Sequence, residues 1–362
     1  MKIHKQPTFF DKEMLLDRLS ELGDPLEILA QTVDFEVFRP TLSIIREQPR
    51  KSNAGAKPFD VLFMFKMLVV QKLNNLSDAS LEFYCTDRAS YRRFLGLESY
   101  DKIPDQNTVW DFREQLKKFD LVEKLFADFN AALKQHGIVT RSGQLVDASF
   151  IQAPRQRNVR EENSAIKAGK QPNAWADKTA GFLRQKDVDA RWAKKNDETF
   201  YGYKDHVNVD KDTKLITDFE VTSAEVHDSQ VLLDVVDSPE TGWSNRPLYA
   251  DSAYRSDPTE QALRQRGVPS MIHEKGVRNK PLSENQKAAN KEKSKIRCRV
   301  EHVFASMKQQ GNDTIRTIGI QRAKVQIGLS NLVYNLKRSV WLMKSGMMVA
   351  LNPHGITASK FA

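Results

Sequence analysis

Arg297, Glu301 and Lys308 stand four and seven residues apart in Ile296-Arg297-Cys298-Arg299-Val300-Glu301-His302-Val303-Phe304-Ala305-Ser306-Met307-Lys308. The pattern predicts a helix. At about 100° per residue the three charged side chains fall within about 40° of one another. Ile296, Val300, Val303 and Met307 form an apolar stripe to one side of them. One carboxylate is thus held between cations beside a buried seam. Such a Glu suits a metal ligand among phosphate-binding cations. The plainer reading is an i,i+4 ion pair on a solvated helix.

Two further acids could join it. Asp147 sits inside Gln144-Leu145-Val146-Asp147-Ala148-Ser149-Phe150-Ile151, a run that reads as a buried strand. Asp251 ends Arg246-Pro247-Leu248-Tyr249-Ala250-Asp251, a second short strand. An Asp at a strand end is commonly a turn or cap residue, so pattern alone leaves both readings open. Two strand-borne Asp and one helix-borne Glu can nevertheless converge at one side of a sheet. Carboxylates gathered there repel unless a cation neutralises them. Mg²⁺ or Mn²⁺ suits such oxygens and keeps positions for water and phosphate. Two ions about 3.5–4 Å apart could activate a water or 3′-hydroxyl and stabilise the leaving oxygen of an in-line displacement. Arg297 and Lys308 would hold phosphates beside them.

The elements that must position these residues form two groups. From Phe10 to about His136 the pattern is helical. Asp11 to Leu22 carries Met14, Leu15, Leu19 and Leu22. Pro58 opens an apolar helix from Phe59 to Leu73. Ser77 or Asp78 caps the next, and Asn107 or Asp105 caps one bearing Val109, Phe112 and Leu116. Three short helices between Leu76 and Leu116 form either a helix-turn-helix-like DNA reader or a plain bundle.

At Gly143 the character changes. After the first strand, residues 152–199 are rich in Arg, Lys, Gln, Asn and Gly, and read as a polar surface insertion without a core. A hairpin follows, from Phe200 to Val209 and from Lys214 to Thr222, turning at Asp210-Lys211-Asp212-Thr213. Then come a helix over Ser229–Val236, the strand ending at Asp251, a helix over Asp257–Arg266 and a strand over Val268–Ile272. Ser283 and Gln286 make a capping box for one long helix that carries Glu301 and ends at Gly311. A last helix, Arg322–Met343, packs Val325, Leu329, Leu332, Val333 and Leu336. The order predicts a mixed α/β (α+β) sheet domain compatible with an RNase H-like fold. The domains are read as 1–138 helical, 139–345 catalytic with the insertion at 152–199, and 346–362 as a tail.

The net charge is +9, from 56 Lys and Arg against 47 Asp and Glu. Between Lys275 and Lys344 there are 16 Lys or Arg and 4 Asp or Glu. This concentration predicts a polyanion-binding face, with a solubilised helix pair as the alternative. No apolar run approaches the roughly 20 residues of a membrane span. The N-terminal stretch through Pro7 lacks the apolar core of a signal peptide. Cys85 and Cys298 are too few for a disulfide scaffold, and each reads as a small buried thiol in a reducing, cytoplasmic setting.

Four stretches carry a likeness beyond composition. They are Pro104 to Arg113, Val146-Asp147-Ala148-Ser149, Tyr249-Ala250-Asp251-Ser252-Ala253-Tyr254, and Arg297 to Lys308. In this order they resemble bacterial insertion-sequence DDE transposases of the insertion-sequence-five family. The resemblance implies that Asp147, Asp251 and Glu301 form the catalytic metal triad, holding two Mg²⁺ or Mn²⁺ ions. It also implies that Arg297 and Lys308 match the family's basic positions. Many relatives place a Tyr three residues before that Arg; here Ser294 stands there, so no Tyr-specific role is carried over. The implied reaction is cleavage of double-stranded DNA at terminal inverted repeats, followed by joining of 3′-hydroxyl ends to target DNA. The protein would act as a homo-oligomer, a dimer on paired ends, associated with the nucleoid through DNA. Arg299, Lys295, Lys194 and Trp192 are further DNA-binding candidates. Trp192, in the basic run Asp187 to Lys195, either stacks on a displaced base or belongs to the core. His206 and His227 could approach the metal site, but histidines bonded within the fold fit as well. A transposase-derived DNA-binding protein and a stand-alone nuclease of the same fold are the alternatives.

Overall fold

The computed structural model describes residues 10–47, 57–98, 100–140, 142–195, 197–237, 246–276 and 281–352. The N-terminal stretch through Pro7, Arg278 and Lys280 lie outside the described residues, as does Lys360. Packing divides the chain into two units, Met1–Ile138 with Leu332–Ala362, and Val139–Asn331. The second unit therefore ends earlier than residue 345. Asn335 Nδ2 donates to Asn130 Oδ1 (3.2 Å) and the Thr32 hydroxyl to Met343 Sδ (3.4 Å), so the later part of the last helix packs in the first unit.

The first unit is helical: α1 (Asp11–Glu21), α2 (Pro25–Thr32), α3 (Arg39–Ser43), α4 (Val61–Leu73), α5 (Asp78–Asp87), α6 (Ala89–Leu95), α7 (Gln106–Lys118) and α8 (Leu121–Gln135). Helix α4 supplies the core, with Phe65, Met67, Leu68, Val69 and Val70 at 1% exposure or less. Asp60, not Pro58, starts it: its carboxylate accepts from Leu62 and Phe63 N–H. Ser77 and Asp105 are the caps of α5 and α7. Phe112 is buried, whereas Trp110 is 47% exposed. Helix α1 buries none of its residues, so Met14 and Leu15 are exposed.

The second unit is the mixed α/β domain. Strand β1 (Gln144–Gln152) pairs antiparallel with the 13-residue β3 (Glu198–Asp210). The start of β3 pairs with β2 (Arg191–Lys195) and its remainder with β4 (Ile216–Ser223). Gly202 lies at the changeover: a Cβ there would stand 2.2 Å from the Ile151 carbonyl oxygen, at φ +149°. On its other side β1 runs parallel to β5 (Leu248–Tyr249). Val268–Ile272 forms no regular strand, but Leu248 N–H donates to Pro269 O and Met271 N–H to Leu248 O, extending the sheet irregularly.

The helix expected over Ser229–Val236 shortens to α11 (Leu232–Val235). With α12 (Asp257–Gln265) it covers one sheet face, where Val146, Leu232, Val235, Leu248, Ala250 and Leu263 cluster. The expected single long helix is two, α13 (Glu284–Arg297) and α14 (Arg299–Gln309). The Ser283 capping box holds the start of α13. At Cys298 the Glu301 N–H bonds back only three residues, to Cys298 O, and the thiol donates to Lys295 O. This tightened turn separates the helices. Cys298 is half-buried, unlike Cys85, which is fully buried. Helix α15 (Ile320–Lys344) follows.

The insertion has more order than its polarity suggests. It contains α9 (Arg160–Lys167), α10 (Ala180–Leu183) and β2. Trp175 is 2% exposed, donates Nε1–H to Glu162 (2.7 Å) and meets Phe182 edge-on. One indole with its polar edge satisfied lets a short, mostly charged segment bury apolar area.

Candidate active site

Alternation along β1 decides where Asp147 points. Val146 belongs to the apolar cluster on one face, so Asp147 projects to the other. Strand β5 repeats this phase. Gln144 pairs with Leu248 and Leu145 with Tyr249, so Asp251 follows the register three residues on, as Asp147 does in β1. Ala250, beside it, lies in the same apolar cluster as Val146. The two Asp therefore leave adjacent parallel strands on the same face. Asp251 also caps the turn after β5, accepting from Ala253 N–H at 2.7 Å.

Glu301 reaches this face from α14, which packs against β1 and buries Val300, Val303 and Met307. The joining group is Arg297. Its Nη1 lies 3.2 Å from Asp147 Oδ2 and its Nη2 2.7 Å from Glu301 Oε1. The i,i+4 pair is real, but the same guanidinium also reaches a strand 150 positions away. One guanidinium thus separates the carboxylates of Asp147 and Glu301.

Burial pushes the Asp147 carboxyl up to about 6. Its bond from Ala148 N–H and the Arg297 charge oppose that rise, Asp251 adds to it, and Lys195 favours the ionised form. A desolvated acid beside a second acid is a site short of positive charge. Among the described residues, no three His, Cys, Asp or Glu form a ready metal-ligand group. Arg297 occupies the position between two of the expected ligands.

The other predicted residues are placed as follows. Lys308 is exposed on α14. Arg299 is held at the β3–β4 turn, donating to Lys211 O at 3.1 Å and facing Asp212 at 3.5 Å. Lys295 pairs with Glu292 and Lys194 with Asp197, both on the surface. Trp192 is not a core residue: it is 45% exposed on β2. His206 lies on the face opposite Asp147, bonded to Thr222 Oγ1 (2.9 Å), and burial lowers it to about 4. His227 is an exposed cap that accepts from Ser229 N–H. His302 is exposed.

Sequence reasoning passed over Tyr254 and His273. Tyr254 is 1% exposed, and its hydroxyl is buried without a hydrogen-bond partner. Burial, then the charges of Asp147, Asp228 and Asp251, raise it far above the usual phenol range. His273 Nε2 bonds Ser294 Oγ at 3.3 Å, and burial followed by the Arg297 charge lowers its pKa. The signal for Tyr254 was its place in the stretch that carries Asp251. His273 had none.

Residues 139–336 match the family described as Transposase DDE domain, and residues 13–115 match Transposase domain (DUF772). A cryo-EM structure of a piggyBac transposase synaptic complex with hairpin DNA aligns at TM-score 0.44 and 13% identity, covering 95% of this chain and 79% of that one. No helix of the described residues is long and apolar enough to cross a membrane. With more than half of its length matched by the first of these families, the chain belongs to the DDE-domain transposases.

Proposed function

We propose that this transposase cuts DNA at the terminal inverted repeats of an insertion sequence and joins the freed 3′-hydroxyl ends to target DNA, using Asp147, Asp251 and Glu301. The observation that carries this reading is the Arg297 bridge between Asp147 on β1 and Glu301 on α14, with Asp251 just past the end of β5, the strand that runs parallel to β1. The residues fit divalent ions in kind: hard oxygen donors, one of them desolvated, currently offset by a movable guanidinium. Such ions, when bound, would neutralise these acids and activate the attacking water or 3′-hydroxyl.

The protein's own groups then have distinct tasks. Asp147 and Asp251 are fixed by the sheet. Glu301 sits on a helix end beside a tightened turn and is 58% exposed, so it can adjust. Arg297, released from the carboxylates, turns its fork to a phosphate. Lys308 presents a second cation, on α14 with Glu301. Assignment to the insertion-sequence-five group, use of Mg²⁺ or Mn²⁺ as a pair, and action as a dimer on paired ends belong to the same proposal. The test is divalent-dependent cleavage of terminal-repeat DNA by the wild type and by Asp147→Asn, Asp251→Asn and Glu301→Gln. Loss of cutting with retained DNA binding supports it. Continued cutting by any one variant removes that residue from the triad. Cutting without a joined product would leave a nuclease, and binding without cutting a DNA-binding protein.

A further inference from the structure

Tyr254 is buried and its hydroxyl bonds nothing among the described residues. A buried phenol ordinarily finds a partner, and one left idle costs the fold free energy. Its position is fixed from two sides. The ring packs in the apolar cluster with Val146 and Ala250, the residues that precede Asp147 and Asp251. Its backbone closes the turn Ser252–Tyr254, which starts at Asp251 and packs against the turn Asp228–Gln230. Strand β5 ends at Tyr249, opposite Leu145, so this turn follows where β1 carries Asp147. Although the ring lies on the Val146 face, Asp147 is the acid whose charge acts on the hydroxyl most strongly, ahead of Asp228 and Asp251.

The three acids differ in what already holds them. Asp228 accepts from Lys204 at 2.7 Å and Asp251 from Ala253 N–H at 2.7 Å, and neither donor has a second task. Asp147 accepts from Ala148 N–H through Oδ1, and from Arg297 through Oδ2 at 3.2 Å. Arg297 is the donor that leaves when the site takes ions and phosphate. Asp147 then lacks a donor beside a phenol that lacks an acceptor. We propose that Tyr254 is a positioning residue for the metal site: once Arg297 withdraws, its hydroxyl donates to the Asp147 carboxylate and holds it in its ion-binding orientation. The proposal rests on the triad reading above and adds to it the group that orients one of its ligands. A ligating carboxylate that is itself hydrogen-bonded binds its ion more tightly than one left to rotate.

The test measures Mn²⁺ binding without DNA by calorimetry, and thermal unfolding with and without Mn²⁺, on the full chain. Tyr254→Phe removes one oxygen and keeps the ring in its cluster. Without metal it should unfold at the wild-type temperature or above, because no bond is lost. It should bind Mn²⁺ about tenfold more weakly and gain correspondingly less stability from the ion. Its cleavage should fall at limiting Mn²⁺ and recover towards wild type at saturating Mn²⁺. Unchanged Mn²⁺ affinity overturns the proposal. A loss of metal-free stability overturns it too, by making the hydroxyl structural, as does a cleavage defect that persists at saturating Mn²⁺, by placing the phenol on the reacting groups. Asp147→Asn separates the two readings, and should weaken Mn²⁺ binding more than Tyr254→Phe does. Weakening by Asp147→Asn alone keeps the triad and removes Tyr254. No weakening by Asp147→Asn overturns the triad, and Tyr254 with it.

Discussion

Arg246 and Arg297 each stand between two carboxylates of the second unit, in opposite surroundings. Arg246 is 1% exposed and joins Asp210 (2.9 Å) to Asp237, while also donating to the Gly143 carbonyl. Asp210 accepts in addition from Thr140, Asp212 and Thr213 backbone N–H groups. The cluster ties the start of β1 to the hairpin turn. Arg297 is 21% exposed, and its partner Glu301 is 58% exposed. Among the described residues, Asp147 bonds only Arg297 and the neighbouring Ala148 N–H. The same three-group arrangement is a staple where it is buried and bonded to the backbone, and an exchangeable site where it is partly exposed.

The widest separation between the clusters should appear in catalysis. Asp147→Asn, Asp251→Asn or Glu301→Gln should each lower cleavage by more than the roughly 10–100-fold typical of residues behind the ligands. Circular dichroism and unfolding curves should stay near wild type. Arg246→Ala should do the reverse. Removing one partner of a buried cluster costs about 3–5 kcal/mol. Chemical denaturation should show that loss, with activity falling only in step with the folded fraction. A large stability loss in Glu301→Gln would erase the distinction.

Asp205 offers a third environment on the same face as Asp147. It is fully buried, accepts from Asn331 at 3.0 Å through one oxygen, and leaves the other without a partner. Burial pushes it up to about 7. The folded state thus holds a proton that an unfolded Asp releases near its ordinary value of 3.8. Its stabilising share is complete below that value and is lost as the pH rises towards 7. Asp205→Asn keeps the bond to Asn331 and should flatten this part of the stability profile. The difference should be on the order of a few kcal/mol at pH 7. An unchanged slope between pH 4 and 7 would show that Asp205 is not held neutral.

Arg297 itself should respond in two directions. Arg297→Gln removes the cation resident between Asp147 and Glu301, so Mn²⁺ should bind severalfold tighter without DNA. DNA should bind less tightly without metal, with the slope of log K against log salt reduced by about 1. Calorimetry and salt-series binding measure the two. A parallel fall in both affinities would place Arg297 with Arg246 as a structural staple.

Legibility in the sequence followed the range of the signal. The buried-strand run Gln144–Ile151, the Asp210–Thr213 turn and the Ser283 capping box are local signals; the strand, the hairpin and the helix start appear as expected, although the helix stops at Arg297. The mixed α/β class followed from their order. The Arg297–Asp147 contact spans 150 positions and left no local trace; only the resemblance grouped those residues. Strand β2 was missed because β3 accepts two partners along one edge, which no periodicity in Arg191–Lys195 announces. The insertion's small core was missed because one Trp and two or three apolar residues are too sparse to register. The turn at Cys298 depends on a single thiol–carbonyl bond, below the resolution of a helical pattern.

The smallest expected effect separates Lys308 from Arg299. Both lie on α14 in the basic stretch, and composition treats them alike. Arg299 is already committed to Lys211 O and faces Asp212, so a phosphate must compete with those partners. Lys308 is exposed at the far end of the helix, near the carbonyl terminus, where a cation is favoured in the free protein as well. Its flexible ammonium can meet a phosphate without breaking a fold contact. Lys308→Ala should therefore reduce the salt slope by about 1, the value for one lost phosphate contact. Arg299→Ala should change it less and should lower thermal stability slightly through the freed β3–β4 turn. Equal slopes for the two variants would mean that the turn releases Arg299 when DNA binds, making that hairpin part of the DNA-binding surface.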